Sequence, residues 1–234
     1  MYKRVLLKLS GEQLQGKYDG GFDTERASWI AAQLKPLVAE GKEIVVMVGG
    51  GNYARGSQLE NDKITRVTAD NIGMLSTILN ALAIEGVFNA EGLDARAVSN
   101  VKADQVIDQF THRRALSHLE KGRVIIVAGG TGRPYLTTDT AAVALALEMS
   151  CEVVLKATKV DGVFDKDPEK FPDAVKLERV SFAEALRDDA IRIMDKAAIG
   201  LAMEHNTPVV IFALLDDGNI AKAVNGNGAG TLIS

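Results

Sequence analysis

Among its 234 residues the chain has one cysteine, Cys151. An intrachain disulfide is therefore impossible, and a solitary thiol fits a reducing compartment, so the expectation is a cytoplasmic protein. Histidine is almost as scarce: His112 and His118 sit six residues apart, off the spacing of a zinc-binding helix pair, and His205 stands alone near a helix end. With no ligand-spaced Cys or acidic cluster beside them, no protein-held metal is expected. Basic residues are in the minority, 27 Lys and Arg against 31 Asp and Glu. The net charge of −4 argues against a general surface for nucleic acid or anionic membrane. No apolar run approaches the ~20 residues of a membrane-spanning helix. The first apolar stretch is broken by Lys8, too early for a signal-peptide core.

What is present is ordinary globular composition, 47% hydrophobic and 25% charged, with enough chain for one large core. Near-continuous apolar runs at residues 4–9, 43–48, 123–128, 152–157 and 208–214 read as strands buried on both faces of a largely parallel sheet. Helical segments lie between them. Ile72, Leu75, Leu79 and Leu82 recur at three- and four-residue steps, giving one apolar stripe. Ser181 and Glu184 form a capping box for a helix over 182–187, and Thr111 is placed to cap one over 112–121. Strands alternating with helices imply an α/β fold, a three-layer α/β/α sandwich, here as a single domain over 1–234. Residues 161–172, rich in Asp, Gly and Pro, read as a long loop rather than a domain boundary, of a length that tends to be functional or disordered.

In open α/β sheets ligands bind beyond the carboxyl ends of the strands. Four predicted strands end there in loops rich in Gly, Ser, Thr or Asp. The first, Lys8-Leu9-Ser10-Gly11, offers a point charge and backbone N–H groups to phosphate oxygens. The second, Gly49-Gly50-Gly51-Asn52 with Arg55, lets backbone approach a ligand with no Cβ in the way. It matches neither the P-loop nor the dinucleotide fingerprint. The third, Gly129-Gly130-Thr131-Gly132-Arg133-Pro134 continuing to Thr137-Thr138-Asp139, leads into an alanine-rich helix over 141–149 that Thr137, Thr138 or Asp139 would cap. The fourth runs from Lys156 through Thr158 and Asp161-Gly162 to Phe164 and Asp167. Each has a bland reading as a turn, a cap or a surface lysine. Four together in one chain are better explained by a shared nucleotide.

The motifs K-L-S-G-E, V-G-G-G-N-x-x-R-G, R-x-T-A-D-x-x-G-M-L, G-G-T-G-x-P-x-x-T-T-D and L-K-A-T-K-V-D-G-V-F-x-x-D-P, with a closing G-x-G-T-L-I, occur in this order from end to end. The sequence resembles the bacterial-type UMP kinases of the amino acid kinase family. The resemblance implies transfer of the γ-phosphoryl of ATP, carried with Mg²⁺, to UMP. It implies ATP contacts from Lys8, Leu9, Ser10, Gly11, Gly51, Arg55, Thr158, Phe164 and Asp167. UMP would be held by Gly50, Asp70, Thr131, Gly132, Arg133, Pro134, Tyr135, Leu136, Thr137 and Thr138, with Asp70 on the ribose. Arg133 stands where the family usually has Asn, and Leu136 where it has an aromatic; Asn71 and Ser76 also depart from the commoner residues. Arg133 would add a charge-assisted bond to the acceptor phosphate.

The attacking oxygen of UMP is already largely anionic at neutral pH, since its second pKa is ~6, so no general base is needed. The work lies in aligning two anions and absorbing charge. Lys8 is the first candidate for that task and Lys156 the second, with Asp139 orienting a lysine or a metal-bound water at the helix start. The resemblance further implies a homohexamer, GTP as activator and UTP as inhibitor, with residues 15–21 in the regulatory surface. Competing readings are another kinase of this fold, a non-catalytic storage or sensor protein, and a dinucleotide oxidoreductase, which the missing fingerprint weakens.

Overall fold

The computed structural model describes residues 1–54, 56–166, 168, 170–187 and 194–234. Its first half contains β1 (Arg4–Leu9), α1 (Gly11–Leu14), α2 (Thr24–Ala39), β2 (Glu43–Val48), α3 (Gly56–Leu59), α4 (Arg66–Ala90), β3 (Ala95–Ser99), β4 (Asp108–Gln109) and α5 (His112–Leu119). There follow β5 (Val124–Ala128), α6 (Thr138–Glu148), β6 (Val153–Thr158), β7 (Val163–Phe164), β8 (Lys176–Leu177), β9 (Arg179–Val180) and α7 (Phe182–Arg187). The chain ends with α8 (Lys196–Glu204), β10 (Val209–Ala213), α9 (Asn219–Asn225) and β11 (Thr231–Ile233).

Among the described residues one nine-stranded sheet runs in the order β4-β3-β5-β2-β1-β6-β10-β11-β9. Every pairing in it is parallel except β10 with β11. Both faces are covered, which is why the central strands read as unbroken apolar runs. On β1, Val5, Leu7 and Leu9 enter a core shared with α2, α4 and α9, whereas Leu6 enters a second core with α5, α6, α7 and α8. Side chains alternate between faces, so Lys8 is thrown onto the α6 side with Leu6. This is the three-layer α/β/α arrangement expected, and all five predicted strands are found within a residue or so of their expected limits.

The differences are local and have physical causes. Strand β3, Ala-Arg-Ala-Val-Ser, escapes sequence reading because its composition is neither strongly apolar nor β-branched, yet it pairs with both β5 and β4. Residues 161–172 are not one loop: β7 pairs antiparallel with β8 as a separate ribbon. Thr111 occupies the cap position of α5 without making a side-chain cap bond. Ser181 and Glu184 do bond reciprocally, Ser181 N–H to Glu184 Oε2 at 2.8 Å and Glu184 N–H to Ser181 Oγ at 3.2 Å.

The apolar stripe of α4 is divided: Leu75 and Leu79 are 53% and 50% exposed, Ile72 is half-buried and Leu82 packs partly on the core, while Ala69, Ile78, Ala81, Ile84 and Phe88 are buried. The buried face also carries Ser76, Thr77 and Asn80, whose polarity concealed it in the sequence. By length and composition α4 meets the measure of a membrane span. Its buried apolar residues line the core, and α4 packs against β3, β5 and α2.

Candidate active site

Strands β1 and β6 are neighbours, and their register sets Lys8 opposite Lys156 near the strand ends. Both side chains therefore rise from the same face, toward the first turn of α6. There Asp139 meets them: Lys8 Nζ lies 2.7 Å from Oδ1 and Lys156 Nζ donates to Oδ2 at 2.5 Å. All three side chains are largely buried, 9%, 14% and 13% exposed. Burial alone would raise the Asp139 carboxyl, but the flanking Lys8 and Lys156 charges hold it below the ordinary carboxylate value. Burial pulls Lys156 below the ordinary lysine value despite Asp139 beside it. An acidic residue in the first turn also suits the positive end of the helix dipole.

The start of α6 is built for this. Thr137 caps it, accepting from Asp139 N–H at 3.0 Å. Thr137 Oγ1 in turn donates to Asp195 at 2.5 Å, and Thr140 Oγ1 donates to the same carboxylate at 2.8 Å. Asp195 caps α8 through Ala198 N–H at 2.9 Å, so one side chain locks two helix starts together. Sequence reading missed Asp195, which belongs to none of the motifs.

On the other side of these elements a cleft of about 440 Å³ opens, within the size range of small-molecule sites. Gly50, Gly51, Arg66, Asp70, Gly73, Met74 and Thr77 line one wall, and Gly130, Thr131, Arg133, Leu136, Thr137 and Thr138 the other. Gly50, Asp70, Thr131, Arg133, Leu136, Thr137 and Thr138, all singled out in the sequence, thus share one cavity. Gly132, Pro134 and Tyr135 belong to the same loop behind that lining. Tyr135 reaches across it: its N–H donates to Asp70 Oδ2 at 2.8 Å.

Two glycine loops are stapled to α4 by side chains that no motif flagged. Asn80, fully buried, donates to the Gly49 carbonyl at 2.7 Å and pairs with Asn52, whose amide donates to the Gly21 carbonyl at 2.6 Å. Thr77 Oγ1 accepts from Gly129 N–H at 2.6 Å, and Asn100 donates to the Gly130 carbonyl at 2.6 Å. The glycines are required sterically. A Cβ on Gly50 would come within 2.7 Å of Ser76 Cβ and 2.8 Å of the Gly73 carbonyl oxygen. Gly129 has φ +80°, and a Cβ there would meet Val101 N at 2.7 Å. The only advance signal was polar residues on the buried face of an apolar helix.

Of the residues expected on the donor side, Lys8, Ser10, Gly11 and Gly51 gather where the first two loops meet. Gly49 N–H donates to the Leu9 carbonyl at 2.8 Å, and a Cβ on Gly11 would come within 2.6 Å of Gly51 N. The Leu9 side chain is fully buried, so only its backbone can face a ligand. Thr158 ends β6 with its hydroxyl turned to the Val160 carbonyl, and Phe164 sits half-buried on the β7–β8 ribbon opposite Lys176. Arg55 and Asp167 lie outside the described residues. Among the described residues no three His, Cys, Asp or Glu side chains gather to hold a cation. The site is thus a cation pair bridged by a carboxylate, next to a glycine-walled cleft, an arrangement suited to stabilising anionic oxygens.

The profile described as the amino acid kinase family matches residues 3–213. The chain is 47% identical over 228 residues to a uridylate kinase from Sulfurovum sp. strain NBC37-1, covering 97% of each chain. It is 44% identical over 225 residues to one from Wolinella succinogenes, covering 96% of this chain and 93% of that one. The crystal structure of UMP kinase from Bacillus anthracis superposes with a TM-score of 0.94 at 36% identity, covering 100% of this chain and 96% of the other.

Proposed function

The chain belongs to the amino acid kinase family, and we propose that it is a UMP kinase, moving the γ-phosphoryl of ATP to UMP with release of UDP and ADP. The observation that carries this reading is the Lys8–Asp139–Lys156 bridge beside the cleft holding Asp70. Uridylate kinases similar over nearly the whole chain support the acceptor.

Lys8 and Lys156 are the catalytic cations. Asp139 holds both ammonium groups at the end of the sheet, where charge develops as the γ-phosphoryl leaves ATP. The acceptor phosphate supplies its own anionic nucleophile, so the protein's task is alignment and charge absorption. ATP lies over the Lys8 to Gly11 and Gly51 loops toward Thr158 and Phe164. UMP occupies the cleft, its ribose on Asp70 and its phosphate toward Gly50, Arg133, Thr137 and Thr138. The resemblance adds Arg55 and Asp167 to the ATP side. The Asp139 oxygens are taken up by Lys8 and Lys156, so Mg²⁺ would be brought with ATP, where it would offset phosphate charge.

Self-association fits the outward stripe of α4, where Val67, Leu75 and Leu79 expose apolar surface along one helix. A second copy of the chain is the occupant we assign, within the homohexamer that the resemblance implies. GTP activation and UTP inhibition rest on the resemblance. The Asn52–Gly21 bond, joining the 15–21 segment to a glycine loop of the site, supports a regulatory coupling. A cytoplasmic location fits the free, half-buried Cys151.

A coupled ADP-release assay with ATP-Mg and UMP, CMP, aspartate, glutamate or carbamate tests the reaction. Strong preference for UMP is expected. Transfer to a different acceptor would overturn the assignment, and silence from protein that binds both nucleotides would favour a sensor or storage role. Light scattering, with GTP titration of the rate, tests assembly and regulation.

A further inference from the structure

Asp70 is held from two sides. Arg66, the first residue of α4, donates from Nε to both of its oxygens, at 2.9 and 2.8 Å. From the opposite wall Tyr135 N–H donates to Oδ2 at 2.8 Å. The same arginine lies 5.5 Å from the centre of the Tyr135 ring. Tyr135 has φ +67°, a left-handed conformation that aromatic residues seldom adopt. Strain of this kind persists where surroundings over-determine it, and here the amide bond and the ring contact both fix the residue.

Resting on the UMP reading above, we infer that Arg66 is a positioning residue that sets the preference for a ribose hydroxyl. A carboxylate offers roughly four lone-pair sites. Arg66 takes one on each oxygen and Tyr135 the second on Oδ2, leaving Oδ1 with a site for a hydroxyl donor. The Asp70 side chain is 15% exposed and lines the cleft, so that site is presented to the acceptor already oriented. Arg66 also balances the Asp70 charge, which would otherwise repel an anionic nucleotide. Through Tyr135 it ties the Thr131 to Thr138 loop to α4 across the cleft mouth. A sugar lacking the hydroxyl leaves the second site on Oδ1 empty, and that lost bond is what discriminates.

An ordinary helix ion pair at this spacing would affect stability and leave discrimination between sugars untouched, which makes the two roles separable. The test measures kcat/KM for UMP, 2′-deoxy-UMP and 3′-deoxy-UMP with wild type, R66A, R66K, Y135G and D70N. Wild type should prefer UMP over at least one deoxy analogue. In R66A that preference should fall about tenfold, as expected for one oriented bond to a charged group, with KM for ATP unchanged. Adding R66A to D70N should cost nothing further, because both act through one carboxylate. Y135G accepts the positive φ and keeps the N–H while removing the ring, so it should lose less than R66A. R66K, which keeps the charge and loses the guanidinium, should recover part of the preference. If circular dichroism shows R66A misfolded, R66K and Y135G carry the measurement. An R66A that keeps the wild-type ratio, losses that multiply in the double variant, or a wild type indifferent to both deoxy analogues overturns this inference alone. A wild type that transfers nothing to UMP overturns the UMP reading and this inference with it.

Discussion

Replacing Asp139 with asparagine keeps the side-chain shape and removes the charge that two buried lysines share. Lys8 and Lys156 approach its oxygens at 2.7 and 2.5 Å, with only 9% and 14% of their side chains exposed. Deleting one partner of a buried ion pair costs ~3–5 kcal/mol, because the remaining charge is left uncompensated. Part of that cost is relieved here: burial already lowers the Lys156 pKa, so without Asp139 it sheds its proton readily. The lower end, about 3 kcal/mol, is therefore expected. At ~2–4 °C per kcal/mol for a chain of this size, the melting temperature should fall by about 6–12 °C. Turnover should fall about 10²–10³-fold, the usual effect of losing one preorganised electrostatic element. Thermal melts followed by circular dichroism, with single-turnover phosphoryl transfer on the same samples, give both numbers. A melting temperature within about 2 °C of wild type, together with turnover within about tenfold, would refute the buried bridge.

The Asp139 carboxyl also predicts a pH dependence. Its folded pKa is depressed below its ordinary 3.8, so its stabilisation is fully present above that value and is lost as pH falls through the folded one. The stability gap between wild type and D139N should stay level from about pH 6 to about pH 4 and close only below, as urea melts across that range would show. Asn80→Ala removes a fully buried amide on which the Gly49 carbonyl and Asn52 depend. It should destabilise the fold by ~1–3 kcal/mol and raise KM for both nucleotides; an effect on one alone would contradict the staple. Burial pushes the thiol of the half-buried Cys151 up to about 12, so a maleimide probe at neutral pH should label it far more slowly in the native protein than after unfolding. Rapid labelling of native protein would contradict its packing.

The sheet was legible because β1, β2, β5, β6 and β10 are buried on both faces and spell that burial in Val, Ile and Leu. The loops that meet in the cleft were legible because glycine marks where backbone must come close. The orientation of α4 was not legible. Its stripe of Ile72, Leu75, Leu79 and Leu82 has the period of a core face, and periodicity cannot say which of two apolar faces meets the sheet. The stapling role of Thr77 and Asn80 was hidden for the same reason. Asp195 meets Thr137 across 58 residues and the Tyr135 amide meets Asp70 across 65, contacts that no local pattern encodes.

The proposed mechanism requires Lys8 to be the cation that meets the moving phosphoryl group, and the most direct test is Lys8→Ala, with ATP and UMP dissociation constants and the single-turnover rate measured on one preparation. The rate should fall about 10²–10³-fold while both dissociation constants change less than about tenfold, because the charge is needed chiefly in the transition state. Equal losses in binding and rate would make Lys8 a nucleotide-binding residue and contradict the mechanism.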